Sequence, residues 1–232
     1  MDKAIEIKNF TKKYDQVNAL DDISLNIDLG KISGVLGPNG SGKTTLLKAL
    51  AGLIRQDMGE IILDGQKISN IDKNKIAYLP DEKFLYANQS IKESSHMYGD
   101  FYDGFDRDFF DKILEYFYLN PKSIIKGLSK GDYKKLGLCL NLSRNADIYI
   151  FDEPLDGIDP ISAAKIIDLI IEKAEDEKTF LISTHQIAQM ENLFDQVIFL
   201  AGGRIHDFGS AREIRDQNQM DISDYYDEIY LG

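Results

Sequence analysis

The run Gly37-Pro38-Asn39-Gly40-Ser41-Gly42-Lys43-Thr44 has the residue types and spacing that hold a phosphate chain. Its glycines let the backbone wrap closely and aim N–H groups inward. Lys43 supplies a cation for β- and γ-phosphates, and the Thr44 hydroxyl supplies an oxygen for Mg²⁺. A chance glycine-rich turn would not also have an apolar strand pattern before it and a helical pattern after it. Far downstream, Ile148-Tyr149-Ile150-Phe151-Asp152-Glu153 is an apolar run that ends in two carboxylates. Asp152 suits a metal-side role, and Glu153 suits a general base or a group that orients water. Alone, this is an ordinary acid-capped strand end; beside a phosphate loop that reading weakens. Leu128-Ser129-Lys130-Gly131-Asp132 precedes a helical pattern that includes Leu136 and Leu140. Ser129 and Asp132 have the spacing of a capping box, which is reason enough for them. A capped helix start with a glycine is also a second surface for phosphate.

Several elements must position these groups. Ala4 to Lys8 and Ile23 to Ile27 alternate as strands do, and Ile32 to Leu36 is a short apolar strand that enters the glycine-rich turn. Thr44 to Leu53 reads as a helix, with Leu46, Leu47, Leu50 and Leu53 near one face. Gly59 to Gly65, including Asp64, reads as a strand and turn, and Lys75 to Leu79 as a strand stopped by Pro80. From Ser90 to Asn120 the residues Phe105, Phe109, Phe110, Ile113, Leu114 and Phe117 follow helical spacing, which predicts a helical subdomain with an aromatic core. The α/β pattern then returns, with Ile148 to Phe151, Thr179 to Ser183 and Val197 to Leu200 as strands and Ile161 to Glu175 as a helix. Such alternation predicts a mostly parallel, covered sheet. Asp216 to Gly232 is acidic without a basic residue and predicts a peripheral tail or helix.

The 232 residues suffice for one large domain, and 43% hydrophobic with 28% charged residues is ordinary for a globular chain. A formal charge of −12 argues against broad binding to nucleic acid, which needs a basic surface. The single cysteine, Cys139, excludes an intrachain disulfide and sits in an apolar context that reads as core. Met1 to Glu6 has no signal-peptide pattern, and no run approaches the roughly 18 apolar residues of a membrane span. A membrane role would therefore work through a partner.

Together these motifs resemble the nucleotide-binding subunits of ABC (ATP-binding cassette) transporters, over nearly the whole chain. Gly37 to Thr45 resembles Walker A, Ile148 to Glu153 resembles Walker B with the catalytic glutamate, and Leu128 to Asp132 resembles the signature motif. Leu155 to Asp159 falls at the D-loop, His185 in Ser183-Thr184-His185 at the switch histidine, and Tyr14 where the family stacks an aromatic on adenine. The resemblance implies an α/β fold: a P-loop NTPase core with a mostly parallel sheet, an N-terminal antiparallel β subdomain and an inserted α-helical subdomain. The implied division is 1–86 and 145–215 for the core with its β subdomain, 87–144 for the helical subdomain and 216–232 for the tail. ATP and Mg²⁺ are the implied ligands. Gly37 to Thr45 with Tyr14 would bind nucleotide, Lys43, Glu153 and His185 would act in hydrolysis, and Thr44, Asp81 and Asp152 would face the metal. The family pairs two cassettes head to tail, so Ser129 and Gly131 would serve the partner's γ-phosphate in a homo- or heterodimer. The further partners implied are integral membrane permease subunits, which would hold the chain on the cytoplasmic face of the membrane.

The sequence departs from the family in two places. Asp81 stands where glutamine is usual; it is shorter and charged, and can still ligate Mg²⁺. The signature reads Lys130-Gly131-Asp132 instead of ending in Gly-Gln, a form similar to cassettes of the ABC-2 export class. Phe84-Leu85-Tyr86 lies where the family meets its permease, and reads either as exposed aromatics for a partner groove or as a packed loop. Two rival functions stay open. One is a non-transport ABC ATPase, for example in iron–sulfur assembly. The other is a nucleotide-dependent regulatory module that turns over little because of Asp81 and Asp132.

Overall fold

A computed structural model describes residues 4–63 and 65–231. Met1 to Lys3 of the expected signal-free N-terminus, Asp64 of the expected turn and the terminal Gly232 lie outside the described residues. The strands are β1 (Ala4–Tyr14), β2 (Val17–Asp28), β3 (Ile32–Leu36), β4 (Met58–Leu63), β5 (Gln66–Lys67), β6 (Ile76–Leu79), β7 (Ile148–Asp152), β8 (Thr179–Ser183), β9 (Gln196–Ala201) and β10 (Arg204–Ser210). The helices are α1 (Lys43–Leu50), α2 (Ile91–Phe101), α3 (Arg107–Tyr116), α4 (Lys130–Leu142), α5 (Pro160–Ala174), α6 (Ile187–Met190), α7 (Ala211–Asn218) and α8 (Ile222–Leu231).

Two sheets form. One has order β2-β1-β4-β5, and its pairs are antiparallel. The other has order β10-β9-β3-β8-β7-β6, parallel except for β10. Strands β3, β7 and β8 of the second sheet are buried along their whole length, which is why they read as continuous apolar runs, whereas the edge strand β10 is partly exposed. Along β7, Ile148 and Ile150 pack toward α1 and the antiparallel sheet, whereas Tyr149 and Phe151 pack toward α4 and α5. Tyr149 stacks on Phe180 of β8 with ring centroids 4.8 Å apart. This stiff layer carries the carboxyl ends of β3, β6, β7 and β8 to one edge.

The structure lengthens the expected antiparallel strands. Asn9 and Asp22 take positive φ (45° and 54°), and the β1–β2 register shifts between Ile7 and Phe10. Those irregularities broke the alternation that would have marked the full strands. Helix α1 ends at Leu50, and Leu53, expected on its buried face, is exposed. In the middle region Phe110, Ile113 and Leu114 are core residues of α3, while Phe105 lies in the connection before it. Cys139 is buried. The acidic stretch at the end is helical and docked. Ile222 is buried, Glu191 Oε2 accepts from Ser223 N and Oγ, and the Tyr230 hydroxyl donates to Leu200 O. The expected boundary at 215/216 falls inside α7. Among the described residues no helix is long and apolar enough to cross a membrane.

Candidate nucleotide-binding and catalytic site

The glycine-rich loop links β3 to α1, as its flanking patterns required. Gly42 caps α1 at φ 108°, and a Cβ there would come within 2.5 Å of Ala19 O. Only glycine fits both demands. No side chain caps α1 and its first turn has no acid, whereas α2, α3, α4, α5 and α7 are each capped by a Ser or Asp side chain. The leading N–H groups of α1 thus remain available to an anion, with the positive end of the helix dipole behind them. Lys43 Nζ donates to Gly37 O at 2.7 Å and to Pro38 O at 3.1 Å, so its ammonium lies over the loop. Burial lowers the Lys43 pKa, against the opposing charges of Glu153 and Asp152.

The end of β7 faces this loop. Asp152 is 1% exposed. Its Oδ2 accepts from the Thr44 hydroxyl at 2.7 Å, and its Oδ1 accepts from the Ser183 hydroxyl. Glu153 follows at φ 50°, a conformation that costs a non-glycine residue about 1–3 kcal/mol. Its N–H donates to Ser183 O and Oγ, both at 3.1 Å, which holds the strained turn. Its Oε2 accepts from His185 Nδ1 at 2.8 Å and from the His185 backbone N–H at 3.1 Å. The expected base and the expected switch histidine are therefore in contact.

Asn39, Lys43, Thr44, Asp81, Asp152 and Glu153 line a cleft of about 340 Å³. A larger cavity of about 850 Å³ lies at the opposite strand ends, beside Lys31, Lys75, Asp147 and Lys178. We assign the chemistry to the smaller cleft, because parallel sheets bind ligands at their carboxyl ends. Its oxygens suit Mg²⁺, a hard cation that takes one or two carboxylates plus substrate phosphates. Two buried hydroxyls, Ser41 Oγ in the loop and Tyr78 Oη on β6, lack a hydrogen-bond partner among the described residues, though neither residue lines the cleft. Burial pushes the Tyr78 phenol up, and the charges of Asp152, Glu82 and Asp81 add to it.

Other expected residues lie apart. Tyr14 is half exposed at the end of β1, with Lys12 Nζ 5.6 Å from its ring centroid, and does not line the cleft. Ser129 and Gly131 are at the start of α4, also off the cleft. Ser129 caps that helix by accepting from Asp132 N at 3.1 Å. A Cβ on Gly131 would sit 2.9 Å from Gly157 O, so this glycine lets the helix start approach the Asp156-Gly157 backbone. Lys130 Nζ pairs with Asp156 Oδ2 at 2.5 Å. Of Phe84, Leu85 and Tyr86, the first two are partly packed and Tyr86 is exposed. Sequence reasoning missed the role of Ser183, which holds both Asp152 and Glu153, and missed Lys134, whose Nζ donates to Asp81 Oδ1 at 3.0 Å. The only hint of Ser183 was its place two residues before His185.

Fold and site together define an ATP-binding P-loop cassette. The chain belongs to the ABC transporter family, whose model matches residues 20–156. An ABC transporter ATP-binding protein of Methanocaldococcus jannaschii is 34% identical over 92% of this chain and 80% of its own length. The lantibiotic transport ATP-binding protein SrtF of Streptococcus pyogenes is 30% identical over 87% of this chain and 88% of its own. The solved structure of an ATP-binding subunit of an ABC transporter superposes with a TM-score of 0.87, at 26% identity, covering 97% of this chain and 98% of that one. The protein is thus an ABC transporter ATP-binding subunit, and an ATPase.

Proposed function

We propose that this chain powers export through separate membrane permease subunits by binding MgATP in the β3–α1 cleft and hydrolysing it between two cassettes. The observation that carries this reading is the cleft itself: an uncapped α1, Lys43, the Thr44–Asp152 bond and the Glu153–His185 pair share one edge of the sheet. In this reading the loop from Gly37 to Thr45 wraps the phosphates, and Lys43 leaves Gly37 O for the β- and γ-oxygens. Thr44 and Asp152, with Asp81 beside them, would hold Mg²⁺, which would supply charge neutralisation to the phosphate oxygens. Glu153 takes a proton from the attacking water, and His185 fixes the carboxylate that does so. Tyr14 offers a flat face to the adenine.

Ser129 and Gly131 lie off their own chain's cleft, which supports a role on the nucleotide of a second cassette. The division into core 1–86 and 145–215, helical insertion 87–144 and C-terminal segment 216–232 belongs to the same proposal, as does peripheral attachment to a membrane. SrtF is named for lantibiotic transport, and a Haemophilus influenzae relative at 28% identity for lipopolysaccharide export, which favours export over the non-transport readings. The test is sedimentation of Glu153→Gln with saturating ATP or ADP. An ATP-dependent dimer that ADP does not support is expected. A chain that fails to bind ATP at all overturns the proposal.

A further inference from the structure

Lys134, in the second turn of α4, is only 4% exposed. A buried ammonium is costly unless it is paired. Its bond to Asp81 Oδ1 reaches from α4, which carries Ser129 and Gly131 at its start, to the rim of the cleft. The preceding residue makes a second tie. The Tyr133 hydroxyl oxygen accepts the N–H groups of Phe84 and Leu85 at 2.6 and 2.8 Å, and its ring meets Phe84 edge-on at 6.1 Å. Two consecutive α4 residues therefore hold the segment after β6. The pair is asymmetric, because the Asp81 side chain is 50% exposed and that of Lys134 only 5%. The carboxylate can turn to solvent, but the ammonium cannot.

We propose that Lys134 is a positioning residue of the nucleotide site: its ammonium fixes the Asp81 carboxylate at the cleft rim and offsets its charge, and so sets how strongly ATP binding depends on Mg²⁺. This rests on the cleft being the MgATP site. An uncompensated Asp81 repels metal-free ATP and attracts Mg²⁺; Lys134 moderates both effects. The measured quantity is the ratio of ATP affinities with excess Mg²⁺ and with EDTA, by isothermal titration calorimetry on the intact chain.

Lys134→Met keeps the apolar stem and removes the charge, so the ratio should rise about tenfold, chiefly through weaker binding of metal-free ATP. Asp81→Asn, at a half-exposed position, should lower it about tenfold. The double variant should lie between the two single variants, and Lys134→Arg should stay close to wild type. Circular dichroism checks that each variant is folded. A packing role alone would weaken both affinities equally in Lys134→Met, with no recovery on adding Asp81→Asn, and that result overturns the proposal. Absence of any ATP binding by the wild-type chain would instead overturn the reading of the cleft on which this one rests.

Discussion

His185 Nδ1 and Glu153 Oε2 are 2.8 Å apart, and the backbone N–H of His185 reaches the same oxygen at 3.1 Å. One carboxylate oxygen is thus held by two donors of one residue, with the Glu153 side chain mostly covered and the imidazole 57% exposed. Glu153 itself lines the cleft. In His185→Ala the backbone bond persists and the ring bond is lost. Turnover should fall roughly 10²-fold with a much smaller change in KM, since positioned base chemistry contributes on that scale. Steady-state ATPase kinetics check this, and an unchanged kcat would separate His185 from the reaction.

Ser183 is fully buried and holds both acidic residues. Ser183→Ala leaves Asp152 Oδ1 short of a donor in the core and loosens the Glu153 turn. The expected cost is about 1–3 kcal/mol of stability, the range for an orphaned buried polar group, by urea unfolding. kcat/KM should drop together with stability. Ser183→Thr, which keeps the hydroxyl, should recover part of both.

The phosphate loop and the two carboxylates were legible because their chemistry is local. A helix start, a strand end and a handful of fixed residue types are enough to write each one down. The bonds that join them were not legible. Asp152 meets Ser183 across a separation of 31 residues, Lys130 meets Asp156 across 26, and Lys134 meets Asp81 across 53. These contacts exist only once β6, β7, β8 and α4 are packed. The parallel core was equally readable, since strands buried on both faces are plain apolar runs. The antiparallel sheet was only half readable, because the positive φ of Asn9 and Asp22 interrupts its alternation. The terminal acidic stretch hid a docked helix because its anchor, Glu191, comes from the segment after α6.

The start of α4 should respond to pH. A hydrogen bond from Lys135, and a second from Ser129, hold the Asp132 pKa below its ordinary value despite some burial. A depressed carboxylate pKa stabilises the fold above the ordinary value, and that contribution disappears as pH falls through the lowered one. Wild type should therefore melt higher than Asp132→Asn at pH 7, and the gap should close toward pH 3. Thermal melts across that range check the sign. A gap that widened with acid would contradict the pairing.

In the proposed mechanism Glu153 drives ATP hydrolysis in the cleft at the ends of β3 and β7. The most direct measurement is MgATP turnover by wild type and Glu153→Gln at matched ATP occupancy, confirmed by equilibrium binding. The expected result is unimpaired ATP binding with turnover reduced by at least about 10²-fold. Wild-type turnover in Glu153→Gln, with nucleotide bound at the same affinity, would contradict it.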